Sequence, residues 1–284
     1  MLSTLNGSKK DRVQSLRSSL VSTIPGICPE RIRIYTQTYQ KFNQEPQILK
    51  RAHSLKAYME NITISLEKDD LIPGWQTSHP RWVPIFPEYS WKWVYEELDR
   101  FNKRQYDRFT ISPQTRDELH QLLPWWEGRT IYDRVFARQP QYVLDASSIG
   151  AINWTGQATS GEGHIVVDHK LTLDYGFSGI LARVTKLKQD LALYEPNNLD
   201  KRDFYQSVEI VFEGVLNYIN RLIEITQENI KSVSTERKLE LQKMVMDLKA
   251  IHNGPPQSFR QAMYIIWLVQ MIQQVESNGH SFSL

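Results

Sequence analysis

The feature that most constrains the fold is an almost uninterrupted apolar segment near the end of the chain. Residues 257–275 are apolar on nearly every side of a helical projection, so they predict a helix that is buried all round. A helix of this kind requires neighbours. Three earlier segments with helical periodicity, at residues 171–193, 204–231 and 236–251, can supply them. The last third of the chain is therefore predicted to form four long helices that pack together.

The preceding part of the chain is divided by prolines and glycines into shorter elements. An amphipathic segment at residues 8–22 is followed by the helix-breaking pair Pro25-Gly26, and residues 1–25 are interpreted as an N-terminal arm. Prolines and capping residues also mark the starts of several later helices. These shorter helices are predicted at about residues 30–42, 46–59, 91–102, 113–123 and 132–138.

Strand signals are few and short. Residues 62–66 alternate between apolar and polar side chains and predict a short strand. Residues 142–144 form a short apolar string in a Ser-, Thr- and Gly-rich segment, which is interpreted as a loop that either contains a strand or has none. Pro80 and Pro84 exclude regular helix between residues 75 and 86, so the backbone there is extended or looped. The sequence as a whole predicts a mainly α-helical chain with few short strands.

Composition and charge exclude several classes of protein. Thirty-four Lys and Arg against 32 Asp and Glu give a net charge of +2, which indicates no nucleic-acid partner. The polar N-terminus lacks a signal segment, and glutamines interrupt the most apolar stretch, so neither secretion nor membrane spanning is predicted. The single cysteine, Cys28, excludes an internal disulfide framework and favours the cytoplasm.

Two histidines that follow glycines are the strongest functional signal. Gly163-His164 precedes three apolar residues, and Gly279-His280-Ser281 follows the apolar segment. Glycine allows the backbone to approach a ligand closely, and histidine exchanges protons near neutral pH. From these residues alone, the favoured interpretation is two turns in which the histidines cap backbone carbonyls.

A series of short motifs occurs in order over most of the chain. They are residues 30–36, 45–52, 76–78, 80–81 and 86–88, together with Asp70-Leu71-Ile72-Pro73-Gly74, Leu123-Pro124-Trp125-Trp126-Glu127-Gly128-Arg129-Thr130, Gly163-His164-Ile165-Val166-Val167-Asp168 and Glu276-Ser277-Asn278-Gly279-His280-Ser281. In order and spacing they resemble the first part of a glycyl radical enzyme of the pyruvate formate-lyase-like family, in its diol dehydratase and related lyase branches. Trp75 and His169, where relatives often have Asn and Tyr, leave the branch open.

The resemblance implies a fold and a cofactor. The family forms an α/β barrel of two five-stranded halves wrapped by helices, and residues 26–284 would be the incomplete N-terminal portion of that domain. A radical S-adenosylmethionine activase installs a glycyl radical, from which a cysteine thiyl radical arises that abstracts a substrate hydrogen. Both radical residues lie in the family's C-terminal portion and have no counterpart here. No catalytic residue and no bound cofactor are therefore expected in this chain.

The resemblance also assigns substrate contacts. His164, His280 and Ser281 match positions that contact substrate hydroxyl groups in the family's diol dehydratases. An imidazole beside a substrate hydroxyl group can assist the loss of water, because a hydroxyl group leaves more easily as water when a nearby group exchanges a proton with it. With the resemblance, a binding role for the two histidines is placed ahead of a capping role.

Other candidate features are interpreted as structural. Asp168 is predicted to cap the helix that follows it, rather than to bind a metal with His164 and His169. Cys28 lies far too early to be the radical cysteine and is predicted to be a small packed side chain. Arg81 is expected to form a structural salt bridge with a carboxylate.

Two hypotheses on function remain open. In the first, the chain is the N-terminal portion of a formate acetyltransferase-like or glycerol/diol dehydratase-like lyase of anaerobic metabolism, inactive alone. Its partners would be a small-molecule substrate, the activase, and a complementary C-terminal chain or a second copy. In the second, it is a non-catalytic helical interaction module or a gene remnant. The sequence does not determine the substrate.

Overall fold

The computed structural model of this protein describes residues 2–153, 160–161, 163–192, 194–195 and 198–278. Within these residues it contains eleven α-helices, two short strands and three short 3-10 turns, which confirms the predicted mainly helical chain with few strands. The elements in chain order are α1 Leu2–Ser22, β1 Gly26–Cys28, α2 Glu30–Lys41, α3 Gln47–Asn61, β2 Trp82–Pro84, α4 Lys92–Glu97, α5 Pro113–Leu122, α6 Ile131–Phe136, α7 Gln141–Ser148, α8 His169–Gln189, α9 Asn198–Asn229, α10 Thr235–Asn253 and α11 Phe259–Glu276.

The main hydrophobic core lies among the long C-terminal helices and α3. Helices α8 to α11 fall on the four segments with helical periodicity, so that prediction is confirmed. Helix α9 packs against α3, α8 and α10, and α11 packs against α10 and α8. Fully buried side chains from four helices meet in this core. They include Tyr58, Tyr218, Leu222, Leu248, Ile265 and Leu268.

Helix α11 is less enclosed than its sequence predicts. Ile265, Leu268 and Val275 are buried, but Phe259 at its first position is 83% exposed and Met263 is 38% exposed. The expectation of burial on every side was therefore wrong for the start of α11, which extends past the helices that cover the rest of it. The C-terminal end of α11, by contrast, is packed inside the molecule.

A second, smaller core covers a two-stranded sheet. β1 and β2 are parallel, with Gly26 opposite Trp82 and Cys28 opposite Pro84. On the other side of β1, the backbone N–H of Ile27 donates to the carbonyl of Thr110 at 3.0 Å. Apolar residues of β1, α2, α5 and the segments around α4 close over this sheet. They include Ile27, Ile32, Ile85, Leu98, Phe101, Leu119 and Leu123.

Two segments do not have the secondary structure that their short apolar patterns predict. Residues 62–66 form no strand. Instead, the backbone N–H of Thr63 donates to the carboxylate of Glu30 at 2.7 Å, and the side chains of Ile64 and Leu66 pack against the main core. Residues 142–144 lie inside α7, which starts directly after Pro140. Short apolar runs are compatible with either strand or helix, and packing decides between them.

Helix starts were predicted more accurately where a side chain caps the backbone locally. Asp168 accepts from Leu171 N–H at 3.0 Å, so its predicted cap is confirmed, and Ser112 accepts from Thr115 N–H at 3.0 Å at the predicted start of α5. The helix predicted at residues 91–102 is shorter, since α4 ends at Glu97, and Ser90 does not cap it.

The N-terminal helix α1 is fastened to the body by polar contacts. Arg12 forms an ion pair with Glu240 at 2.8 Å, and Ser15 donates to Asp69 at 2.6 Å. Arg81 donates to the backbone carbonyls of residues 20 and 23 at 3.0 and 2.9 Å, so its predicted salt bridge with a carboxylate was wrong. The division into an arm, 1–25, and a domain, 26–284, stays a prediction. None of the helices among the described residues is long and apolar enough to span a bilayer.

Candidate functional site

The structure brings together the two segments that carry the glycine-histidine motifs. His164 lies in the loop before α8, is exposed and has a left-handed backbone conformation with φ of 55°. His280 and Ser281 lie outside the described residues. Three residues before His164, the backbone N–H of Gly161 donates to the side-chain carbonyl of Asn278, which follows α11. The two segments are therefore joined directly.

Gly161 lies so close to the end of α11 that a side chain has no room there. A Cβ atom on Gly161 would be 2.2 Å from Ser277 Oγ and 2.7 Å from Tyr89 Oη. Ser277 and Tyr89 are themselves buried. Glycine is required at this position because its backbone packs directly on the hydroxyl groups of a serine and a tyrosine.

Replacing Gly161 with alanine is expected to separate the two segments. Overpacking a filled site of this kind costs about 1–3 kcal/mol, so the free energy of unfolding measured by urea denaturation should fall by about that amount. Gly254→Ala is the matched control, since no atom lies within 4 Å of its Cβ position and its φ of 177° suits any residue. Equal stability of the two variants would show that the close approach at Gly161 has no energetic consequence.

The C-terminal end of α11 is held by Arg31, a fully buried arginine of α2. Arg31 Nε donates to the carbonyl of Val275 at 2.8 Å, and Nη2 lies 3.4 Å from the carbonyl of Glu276. Nη1 donates to the carbonyl of Ile85 at 3.0 Å. Glu88 accepts from both terminal nitrogens, at 3.1 and 2.5 Å. All five N–H groups of this guanidinium thus have an acceptor.

Aromatic rings enclose the same guanidinium. Arg31 Cζ lies 3.7 Å from the ring centroid of Tyr35 and 3.8 Å from that of Phe86, a cation–π arrangement on both faces. Burial lowers the pKa of Arg31, but the charge and hydrogen bonds of Glu88, together with the interactions with Tyr35 and Glu276, outweigh burial and raise the pKa above its ordinary value. Arg31 is therefore a permanent charge that ties α2 to the end of α11.

A second set of polar contacts lies around the last residues of α11. Arg51 of α3 forms an ion pair with Glu276, and the same nitrogen, Nη2, lies 3.4 Å from Tyr89 Oη. Tyr89 Oη in turn lies 3.3 Å from Ser277 Oγ. Burial raises the pKa of Tyr89, so its hydroxyl is protonated at neutral pH and can donate.

A cavity of about 320 Å³ opens beside Asn278. Its volume is within the range of about 300–1,000 Å³ that is usual for small-molecule sites. The cavity lies between α11, β2 and the region around α4, and both amide and apolar side chains line it. Its lining includes Gln76, Gln274, Asn278, Ile85, Phe86 and Phe109.

Metal-binding side chains and the single cysteine bear on the chemistry that the described residues can support. Among the described residues, no group of three or more His, Cys, Asp or Glu side chains is placed to hold a metal ion. The thiol of Cys28 is completely buried in β1 and lies 3.6 Å from Ser78 Oγ, which confirms its predicted role as a small packed side chain.

Sequence reasoning missed the residues that hold the end of α11. Arg31, Glu88, Tyr89 and Arg51 were not singled out, although Arg31, Arg51 and Glu88 lie in motifs that carry the family resemblance. One signal was present in the sequence: Arg31 lies beside Ile32 and four residues before Tyr35 on the apolar side of α2. A charge in such a place indicates a buried ion pair.

Comparison with known proteins gives consistent results over almost the whole chain. The family model described as pyruvate formate lyase-like matches residues 7–284. The Probable dehydratase YbiW of Escherichia coli is 33% identical over 275 residues, covering 96% of this chain and 34% of the relative. The (2S)-3-sulfopropanediol dehydratase of Klebsiella oxytoca is 31% identical over 278 residues, covering 96% of this chain and 34% of that enzyme.

A solved structure gives the same result for the fold. The B12-independent glycerol dehydratase of Clostridium butyricum, in its glycerol-bound form, superposes with a TM-score of 0.92 at 30% identity. The match covers 96% of this chain and 35% of the dehydratase. This chain thus spans about a third of the length of the relatives that it matches.

Proposed function

Because the chain belongs to the pyruvate formate lyase-like family, we propose that it forms the N-terminal part of the substrate pocket of a glycyl radical dehydratase. In this role it contacts the hydroxyl groups of the substrate and provides no radical residue. The observation that carries the proposal is the hydrogen bond between Gly161 and Asn278, which joins the segments that carry the two glycine-histidine motifs. The substrate contacts are His164, His280 and Ser281.

The proposed substrate class is a small molecule with neighbouring hydroxyl groups. Two relatives act, by their names, on sulfopropanediol, which carries two hydroxyl groups, and on glycerol, which carries three. His164 is exposed in its loop, three residues after the glycine whose N–H donates to Asn278. A histidine there can hydrogen-bond one hydroxyl group and exchange a proton with it as it leaves as water.

The radical chemistry in this proposal comes from outside the chain. When present, the glycyl radical would supply the radical needed for hydrogen abstraction, and Cys28, a packed side chain in β1, has no part in this proposal. β1 and β2 would be strands of the family's barrel, and a complementary C-terminal chain or a second copy would close the pocket. A radical S-adenosylmethionine activase would act on that complementary part. Anaerobic metabolism in the cytoplasm is the proposed setting.

Binding of glycerol to the chain tests the proposal. We expect glycerol to shift the imidazole resonances of His164 and His280 in NMR spectra, and His164→Ala to weaken binding about three- to tenfold, as the loss of one hydrogen bond predicts. His252→Ala is the control, because the ring of His252 hydrogen-bonds to its chain neighbour Asn253, far along the sequence from both motifs.

The opposite result would favour the other function. If glycerol shifts no histidine resonance while the chain remains folded, the non-catalytic interaction module is the better description. A complementary C-terminal polypeptide gives a second measurement: after treatment with the activase, the mixture should show a glycyl radical by electron paramagnetic resonance, and this chain alone should not.

A further inference from the structure

A continuous path of polar contacts links the end of α11 to α3 and to the loop that carries Gly161. It runs from the Glu276 carboxylate to Arg51, then to the Tyr89 hydroxyl and to Ser277 Oγ. We propose that Tyr89 and Arg51 are positioning residues, which set the separation of the two loops and thereby the affinity of the site for substrate hydroxyl groups. The inference rests on the proposed function and adds residues to the same site.

Tyr89 is the point at which three parts of the structure meet. Its hydroxyl oxygen lies 3.3 Å from Ser277 Oγ and 3.4 Å from Arg51 Nη2, and a Cβ on Gly161 would be 2.7 Å away. Any movement of the phenol oxygen therefore changes the space between the Gly161 loop and the end of α11.

The position of Tyr89 does not depend on its hydroxyl group alone. The residue is 3% exposed, and its carbonyl accepts from Tyr132 N–H at 2.9 Å. The carbonyl of the preceding residue, Glu88, accepts from Ile131 N–H at 3.0 Å. Since the ring and backbone are held by these other contacts, replacing Tyr89 by phenylalanine removes the hydroxyl group with little change in packing.

Arg51 determines which way the hydroxyl proton of Tyr89 points. A guanidinium can only donate, so the Tyr89 oxygen accepts from Arg51. The phenol proton then points away from Arg51 and toward Ser277 Oγ. Arg51 is itself fixed, because it lies on α3 between Leu49 and Leu55, which are both buried, and because it is paired with Glu276. Its charge thus orients the hydroxyl groups at the end of α11.

The test compares Tyr89→Phe with Tyr106→Phe in the full 284-residue chain. Tyr106 is 77% exposed and is the matched control. We expect Tyr89→Phe to weaken glycerol binding about three- to tenfold and to shift the backbone amide resonances of Gly161 and Asn278. Both measurements are made well below the thermal transition, where a purely stabilising role would leave affinity unchanged.

Variants of Arg51 provide a second, independent test of the same proposal. Arg51→Met should weaken glycerol binding at least as much as Tyr89→Phe, because it removes a charged donor. Arg51→Lys keeps the charge on a single donor group and should recover part of the affinity. Recovery by lysine would not be expected if the arginine only filled space.

The results separate this inference from the proposed function. If the unmodified chain does not bind glycerol, the proposed function fails, and the Gly161 and Asn278 amide shifts alone decide whether Tyr89 positions the loops. If the unmodified chain binds glycerol and Tyr89→Phe binds it equally well, the positioning role is overturned. Unmoved Gly161 and Asn278 resonances in Tyr89→Phe overturn it as well.

Discussion

Replacing Arg31 by methionine is expected to lower the free energy of unfolding by about 3–5 kcal/mol. The side chain of Arg31 is completely buried, and that of its partner Glu88 is 8% exposed. Removing the arginine leaves a buried carboxylate without its counter-charge. It also leaves the carbonyls of Ile85 and Val275 without the donors that Arg31 supplied. The change in stability is measured by urea denaturation.

Arg33→Met on the same helix is the matched control. Its ion pair with Glu118 has side chains 41% and 27% exposed, so its loss should cost about 0–1 kcal/mol. The double variant Arg31→Met, Glu88→Leu should be more stable than Arg31→Met alone, because the unpaired charge is then absent. Arg31→Met and Arg33→Met with equal stabilities would contradict the view that Arg31 holds the end of α11.

Replacing Leu268 by alanine is expected to lower the free energy of unfolding by about 2–5 kcal/mol. Leu268 is 1% exposed and lies in the main core at the middle of α11. Truncation removes apolar contacts and leaves a cavity between helices that cannot fully close. The predicted change is a lower urea midpoint with an unchanged dependence on urea concentration, as expected when the native fold is retained.

Leu239→Ala on α10 tests whether burial, rather than the leucine itself, causes this loss. Leu239 is 58% exposed, and its truncation should change stability by no more than about 0.5 kcal/mol. A large loss at Leu239 would indicate that this face of α10 is covered, for example by a second copy. A small loss at Leu268 would show that α11 is not part of the core.

The predictable part of the fold depends on patterns that extend over many residues. The four C-terminal helices follow from a periodicity repeated over several turns in each of them, which a strand cannot imitate. The caps at Ser112 and Asp168 were also predictable, since a capping side chain and the backbone N–H that donates to it are only three residues apart. By contrast, the patterns at residues 62–66 and 142–144 were too short to separate strand from helix.

The candidate site was predictable only in part. The ordered series of short motifs, of which the two glycine-histidine motifs are part, indicated the family, and comparison with known proteins confirmed that recognition. The side chains that hold the motifs in place were not indicated by spacing, because Arg31 and Val275 are separated by 244 positions in the chain. Tyr89 and Arg51 likewise reach Ser277 and Glu276 across more than half of the sequence.

The sequence by itself determined the helical content, the long C-terminal helices and the family, because each is encoded in local periodicity or in an ordered set of short motifs. Only the tertiary structure decided which side of α11 is buried, and only it revealed the contacts that join Gly161 to Asn278. The physical reason is that close packing and buried hydrogen bonds are properties of residues brought together from distant parts of the chain. No local pattern contains that information.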